Sequence, residues 1–218
     1  MERRELLKMI AVLTGGAFVG GEFILSGCKN NPTSSGSLFT SEDIQFLNTV
    51  ADTLLPETSS PGAGAANVGT FMARMVDDCY EPVDQKIFVA GIQSINEAAQ
   101  KKYSKTFMKL TNGERTALLN EIDKASREAV KKGNEAFAGL KPEDWEKITL
   151  ERNFSGKDPV KEKLRDVSGY YFVQMKQLAL LGFFTSKEGA TKALRYVAVP
   201  GKYDGALPYK KGDKAWAT

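Results

Sequence analysis

The sequence predicts an all-α fold: a single helical domain with a long ordered C-terminal loop segment. Three observations predict it. Apolar residues recur at three- and four-residue spacing through most of the chain beyond residue 38, which is the period of one helix face. Helix start signals stand ahead of those runs, at Thr40, Thr111 and Asp158-Pro159. No stretch alternates apolar and polar residues as a half-buried strand does, and no segment repeats.

The first helix begins at Thr40, whose hydroxyl suits an N-cap, with Phe39 and Ile44 spaced as a hydrophobic staple. Ile44, Leu47, Val50, Ala51 and Leu54 continue its apolar face, and Pro56 stops it. Residues 57–64 read as a loop. The second helix runs from about Ala66 to Tyr80, with Val68, Met72, Met75, Val76 and Cys79 on one face. The third runs from about Val83 to Lys102, with Phe88, Ile92, Ile95 and Ala99 on one side. Thr111 and Glu114 have capping-box spacing ahead of a fourth helix that fades near Lys132. A short helix starts at Pro142, because proline suits the first helical position. Asp158-Pro159 opens one long buried helix through Val160, Leu164, Val167, Tyr171, Met175, Leu178 and Leu181, which Gly182 ends. A short helix follows near residues 187–194, and the tail from Tyr196 to Thr218 reads as ordered loop.

The segment ahead of the helices is an address. Residues 9–21 carry no charge, and Arg3, Arg4 and Lys8 precede them, as in an export signal. Arg3-Arg4-Glu5-Leu6-Leu7-Lys8 resembles a twin-arginine signal. Leu25-Ser26-Gly27-Cys28 resembles a bacterial lipobox, in which small residues admit the peptidase and the Cys28 thiol takes a diacylglyceryl group. The expected organisation is a signal peptide over residues 1–27, a lipidated tether over 28–38 and a helical domain over 39–218. The expected location is the bacterial envelope: periplasmic and anchored to the membrane by lipid, without spanning it.

Composition narrows the chemistry. The 218 residues are 42% hydrophobic and 26% charged, ordinary values for a soluble globular chain. A net charge of +3 is too small a bias to indicate a nucleic-acid partner. Histidine is absent, so no His base, catalytic triad, His-ligated zinc or His-ligated haem is available. Cys28 and Cys79 are the only cysteines, too few for a four-cysteine metal or iron–sulfur site.

The remaining motifs are weak. Gly62-Ala63-Gly64-Ala65-Ala66-Asn67 approaches a dinucleotide fingerprint, but follows a helix and a loop where that motif needs a strand. Asp77 and Asp78 are adjacent on a helix and diverge by about 100°. Asp52, beside the apolar stripe of the first helix, reads as a carboxylate of interest, or as a half-buried cap or ion pair. Cys79 has two readings: a small buried hydrophobe, or a thiol left for an intersubunit disulfide in an exported protein.

Two blocks carry a resemblance. The first is Phe39-Thr40-Ser41-Glu42 leading to Ala51-Asp52-Thr53-Leu54-Leu55-Pro56 and then Pro61-Gly62-Ala63. The second is Gly182-Phe183-Phe184-Thr185-Ser186, Gly189, and Tyr196-Val197-Ala198-Val199-Pro200-Gly201. In this order they are similar to the gluconate 2-dehydrogenase subunit 3 family, the small subunits of membrane-associated flavoprotein sugar and alcohol dehydrogenases. The resemblance implies a chain with no cofactor, catalytic residue or metal of its own. Its partner would be a large FAD-containing subunit of the glucose–methanol–choline type, with a cytochrome c, and so haem, as an electron acceptor. The small subunit would assist folding and export of the large one, and the lipobox would add a membrane anchor.

A subunit needs an interface, and the candidate residues are Phe183, Phe184, Tyr196, Pro200, Tyr203, Tyr209 and Trp216, since aromatics supply much contact area at low entropic cost. The same aromatics could instead cover the domain's own core. Two other functions compete: a free-standing envelope lipoprotein that binds or scaffolds, and an independent carboxylate enzyme built on Asp52 and Glu57.

Overall fold

A computed structural model describes residues 36–135, 139–155, 158–199, 201–202, 204–208 and 210–217. Arg3, Arg4, Cys28, Pro200, Tyr203 and Tyr209 lie outside the described residues. Among those described, the elements are α1 (Ser41–Leu54), α2 (Val68–Cys79), α3 (Pro82–Tyr103), a 3-10 turn (Phe107–Lys109), α4 (Asn112–Glu135), α5 (Pro142–Ser155), α6 (Pro159–Arg165), α7 (Tyr170–Thr185) and a π-helical turn (Gly189–Ala193). No strand is present among the described residues; one isolated parallel bridge joins Arg195 to Trp216. The all-α reading holds.

Local chemistry sets the helix starts. The Thr40 hydroxyl accepts the Asp43 N–H at 3.2 Å, and the Asp43 carboxylate accepts the Thr40 N–H at 2.9 Å. This is a reciprocal capping box, and its N-cap alone contributes about 1 kcal/mol. Phe39 just ahead is buried, edge-on to Phe88 with centroids 5.9 Å apart, and the Leu38 N–H donates to Asp77 Oδ1 at 3.1 Å. A second box joins Thr111 and Glu114, the carboxylate accepting the Thr111 N–H at 2.8 Å. Asp158 caps α6 through the N–H groups of Val160 and Lys161.

The core is organised around α7, which packs against α1, α2, α3 and α4. Phe172, Met175, Leu178 and Ala179 of α7 are buried with Leu47 and Val50 of α1, Met72 and Val76 of α2, and Phe88 and Ile95 of α3. An ion cluster ties α3 to α6. Arg165 grips the buried Asp84 with two bonds of 2.9 Å, and Lys161 Nζ lies 2.8 Å from the same carboxylate. Glu81 completes the cluster, 2.9 Å from Lys161 and 2.5 Å from Arg165. The hydrogen bond from Arg165 holds the Asp84 carboxyl below the usual carboxylate range, although burial pulls the other way.

Two expectations are corrected. The long helix expected from residue 158 is two helices, because Gly169 takes φ +84° between them, a conformation glycine adopts without strain. Ser126 Oγ stands 2.5 Å from where a Gly169 Cβ would lie. Gly182 does not end α7, which runs on to Thr185. Gly182 is a contact point instead: a Cβ there would meet the Phe71 ring at 2.5 Å. The short helix expected near residues 187–194 is present, helical at 187–188 and continuing as the π-helical turn Gly189–Ala193.

Candidate partner interface

The Asp52 motif is a loop clamp. Asp52 Oδ1 accepts the Gly64 N–H at 3.0 Å, and the Ala63 N–H donates to the Leu55 carbonyl at 2.9 Å. Cβ atoms at Gly62 or Gly64 would come within 2.6 Å and 2.8 Å of that same carboxylate oxygen. Aspartate and the two small residues are therefore one device, which folds the loop after α1 back onto it. The glycines that resembled a nucleotide loop are consumed by this clamp.

Beside it lies a cleft of about 210 Å³ lined by Asn48, Asp52, Gly64, Asn112, Arg115 and Thr116. Its polar groups hold the fold. Arg115 donates to the carbonyls of Phe107 and Met108, Asn48 accepts the Gly69 N–H, and Thr116 donates to the Asn112 carbonyl. Glu57 is exposed in the loop. No group of three or more metal-ligating residues forms among the described residues.

The second block builds a sharp turn. Ser186 Oγ donates to the Phe183 carbonyl at 2.6 Å and accepts the Gly189 N–H at 3.0 Å. A Cβ at Gly189 would run into the Phe183 carbonyl oxygen. Only glycine lets the π-helical turn lie this close to the end of α7.

The candidate aromatics separate. Phe183 is buried in the domain's own core, its ring 5.1 Å from that of Phe184. Phe184, Tyr196 and Trp216 are exposed at 38%, 55% and 47%. Leu181, expected to mark the buried face, is exposed at 47%, and Leu180 beside it at 39%. Gln177, Leu180, Leu181 and Phe184 fall on the side of α7 opposite Met175, Ala179 and Gly182, as the 3.6-residue period requires. A helix apolar on all sides belongs inside a protein; here one side stays open. The run Leu178–Phe184 (LALLGFF) carried that signal in sequence, since no single helix face can hold it.

Beyond the turn, the chain closes on itself. The Arg195 N–H donates to the Ala215 carbonyl at 2.8 Å, and the Ala217 N–H returns to the Arg195 carbonyl at 2.9 Å. The Arg195 guanidinium sits 4.7 Å from the centroid of the Trp216 ring, a stacking contact that fixes the ring. The described residues between 196 and 214 thus lie in a loop pinned at both ends.

Cys79 is the last residue of α2 and is exposed, with its thiol unpaired among the described residues. The buried-hydrophobe reading is corrected: the helix ends there, and the apolar face stops at Val76. Asp78 pairs with Arg74 at 3.7 Å, while Asp77 binds Leu38, so the two carboxylates do diverge. No helix of the described residues is long and apolar enough to cross a membrane.

Residues 41–201 match the family described as gluconate 2-dehydrogenase subunit 3. No curated protein and no solved structure matches the chain.

Proposed function

Because the chain belongs to the gluconate 2-dehydrogenase subunit 3 family, we propose that it is the non-catalytic small subunit of an exported, FAD-dependent sugar dehydrogenase of the glucose–methanol–choline type. The family match supports the subunit role. One structural observation supports attachment through α7: its outer side exposes Leu180, Leu181 and Phe184 at the centre of the fold. Contiguous apolar surface of this kind marks contact sites.

In this reading the large subunit binds FAD and oxidises the sugar, and a cytochrome c accepts the electrons. This chain assists folding and export of the large subunit. The twin-arginine-like segment with Arg3 and Arg4 directs the pair out of the cytoplasm, and lipid on Cys28 holds it at the periplasmic membrane face. Cys79, exposed at the end of α2, is available for an intersubunit disulfide. The clamp that occupies Asp52 supports a structural role for that residue over the carboxylate-enzyme reading.

The test is a mild-detergent pull-down of the tagged native chain, with absorption and mass spectra of what accompanies it. A co-purifying large subunit with flavin bands is the expected result. A solitary, colourless lipoprotein would replace this reading with the free-standing module. Non-reducing gels check Cys79: a partner band that never shifts on reduction removes the disulfide.

A further inference from the structure

We propose that the pinned loop over residues 196–214, with the turn before it, docks electrostatically on an acidic surface of the large dehydrogenase subunit. The proposal rests on the subunit reading above and adds the place and chemistry of a contact.

Charge is concentrated here. From Ser186 to Ala217 the chain carries seven Lys/Arg and three Asp/Glu, a surplus of +4, when the whole molecule has +3. Two of the three carboxylates, both exposed, bond within the loop. Asp204 accepts the Ala206 N–H at 3.1 Å and lies 4.0 Å from Lys202. Asp213 accepts the Lys210 N–H at 2.9 Å and lies 3.8 Å from Arg195. Lys187, Lys192, Lys210, Lys211 and Lys214 are exposed and form no ion pair with a described residue. Two of the segment's acids thus bond within the loop, while Lys187, Lys192, Lys210 and Lys211 stay exposed.

Apolar residues stand among those lysines. Tyr196, Val197, Val199 and Leu207 are exposed, Val199 at 81%. Among the described residues of the segment, none beyond Gly189 is buried. The loop's shape comes from the Arg195–Trp216 pin and from Lys214, which donates to the Lys192 carbonyl. A closed, basic loop with apolar side chains outward is preorganised to meet a surface with carboxylates around an apolar centre. Complementary charge of this kind steers association and fixes register. Preorganisation lowers the ordering cost of binding.

The experiment compares the full wild-type chain with Lys210→Glu/Lys211→Glu, each co-expressed with the flavin-containing subunit that accompanies the wild type. Dissociation constants are measured against ionic strength. The double variant should bind about tenfold more weakly at low salt, with the difference shrinking as salt approaches about 0.5 M. Lys210→Gln/Lys211→Gln should fall between, which separates charge from misfolding. Lys131→Glu/Lys132→Glu on α4 should bind as wild type does. Equal affinity and equal salt slope for the loop variant, in a complex that still forms, would overturn the proposal and leave the subunit reading standing. If no flavoprotein accompanies the wild type, both fall. If the double variant keeps the flavoprotein but no longer floats with phosphatidylglycerol/phosphatidylethanolamine vesicles that carry the wild type, the loop faces lipid and the proposal is overturned.

Discussion

Two helices of similar length meet opposite fates in this molecule. α7 has 16 residues and α5 has 14. Neither is amphipathic along its whole length. α7 is apolar on nearly every side, and it lies at the centre with four helices around it. α5 is polar on nearly every side, and none of its described side chains is buried. Trp145 and Leu150 are exposed on it, and neither joins the core. At its start the Lys141 N–H donates to Asp144 Oδ2 at 3.3 Å, and Asp144 lies 3.9 Å from Lys147. Helices of this length are marginal in water without tertiary packing. Position in the fold therefore follows total apolar content here, and periodicity says little about either helix.

The comparison can be broken at its strong end first. Phe172→Ala empties a fully buried site on α7 and should cost about 4 kcal/mol, read as a lower urea midpoint at unchanged slope. A shift below about 1 kcal/mol would mean α7 is not the keystone. Asp84→Asn should cost about 3 kcal/mol near neutral pH, because it leaves Arg165 and Lys161 facing a neutral group in a buried place. The folded Asp84 carboxyl lies below its unfolded value, so its contribution is complete above about pH 4 and is lost as pH falls through the lowered folded value. Wild type should accordingly lose stability faster than the variant on acidification, measured by melting at stepped pH. Leu181→Lys should change the isolated domain by no more than about 0.5 kcal/mol, yet reduce flavin retained in the pull-down. The smallest effect is expected on α5. Trp145→Ala should stay within about 0.5 kcal/mol, and α5 amides should exchange well before those of α7.

Much of the fold was legible because its signals are local. The cap at Thr40, the box at Thr111–Glu114 and the Asp158-Pro159 start each lie within four residues. The helix break at Gly169 was not legible, since the positive φ of the glycine and the Ser126 side chain of another helix that leaves no room for a Cβ there are both tertiary features. Gly182 misled for the same reason: a glycine that ends a helix and one that admits Phe71 look alike in sequence. Leu181 fitted the helical period and was placed inside, because period assigns a face and not what covers it. Among the candidate aromatics, Phe184, Tyr196 and Trp216 are exposed, while Phe183 lies in the core. Aromatic identity alone could not divide them.

The start of the domain has a mechanical consequence. Leu38 is bonded to Asp77, Phe39 is buried against Phe88, and the Thr40 capping box follows at once. A pull along the backbone from residue 37 reaches these three attachments before the first hydrogen bond of α1. The helix cannot be peeled from its end until a buried ring has been drawn out and a doubly bonded cap broken together. Any tension on the upstream chain therefore meets a lock, and the load passes into α2 and α3 while α1 stays wound.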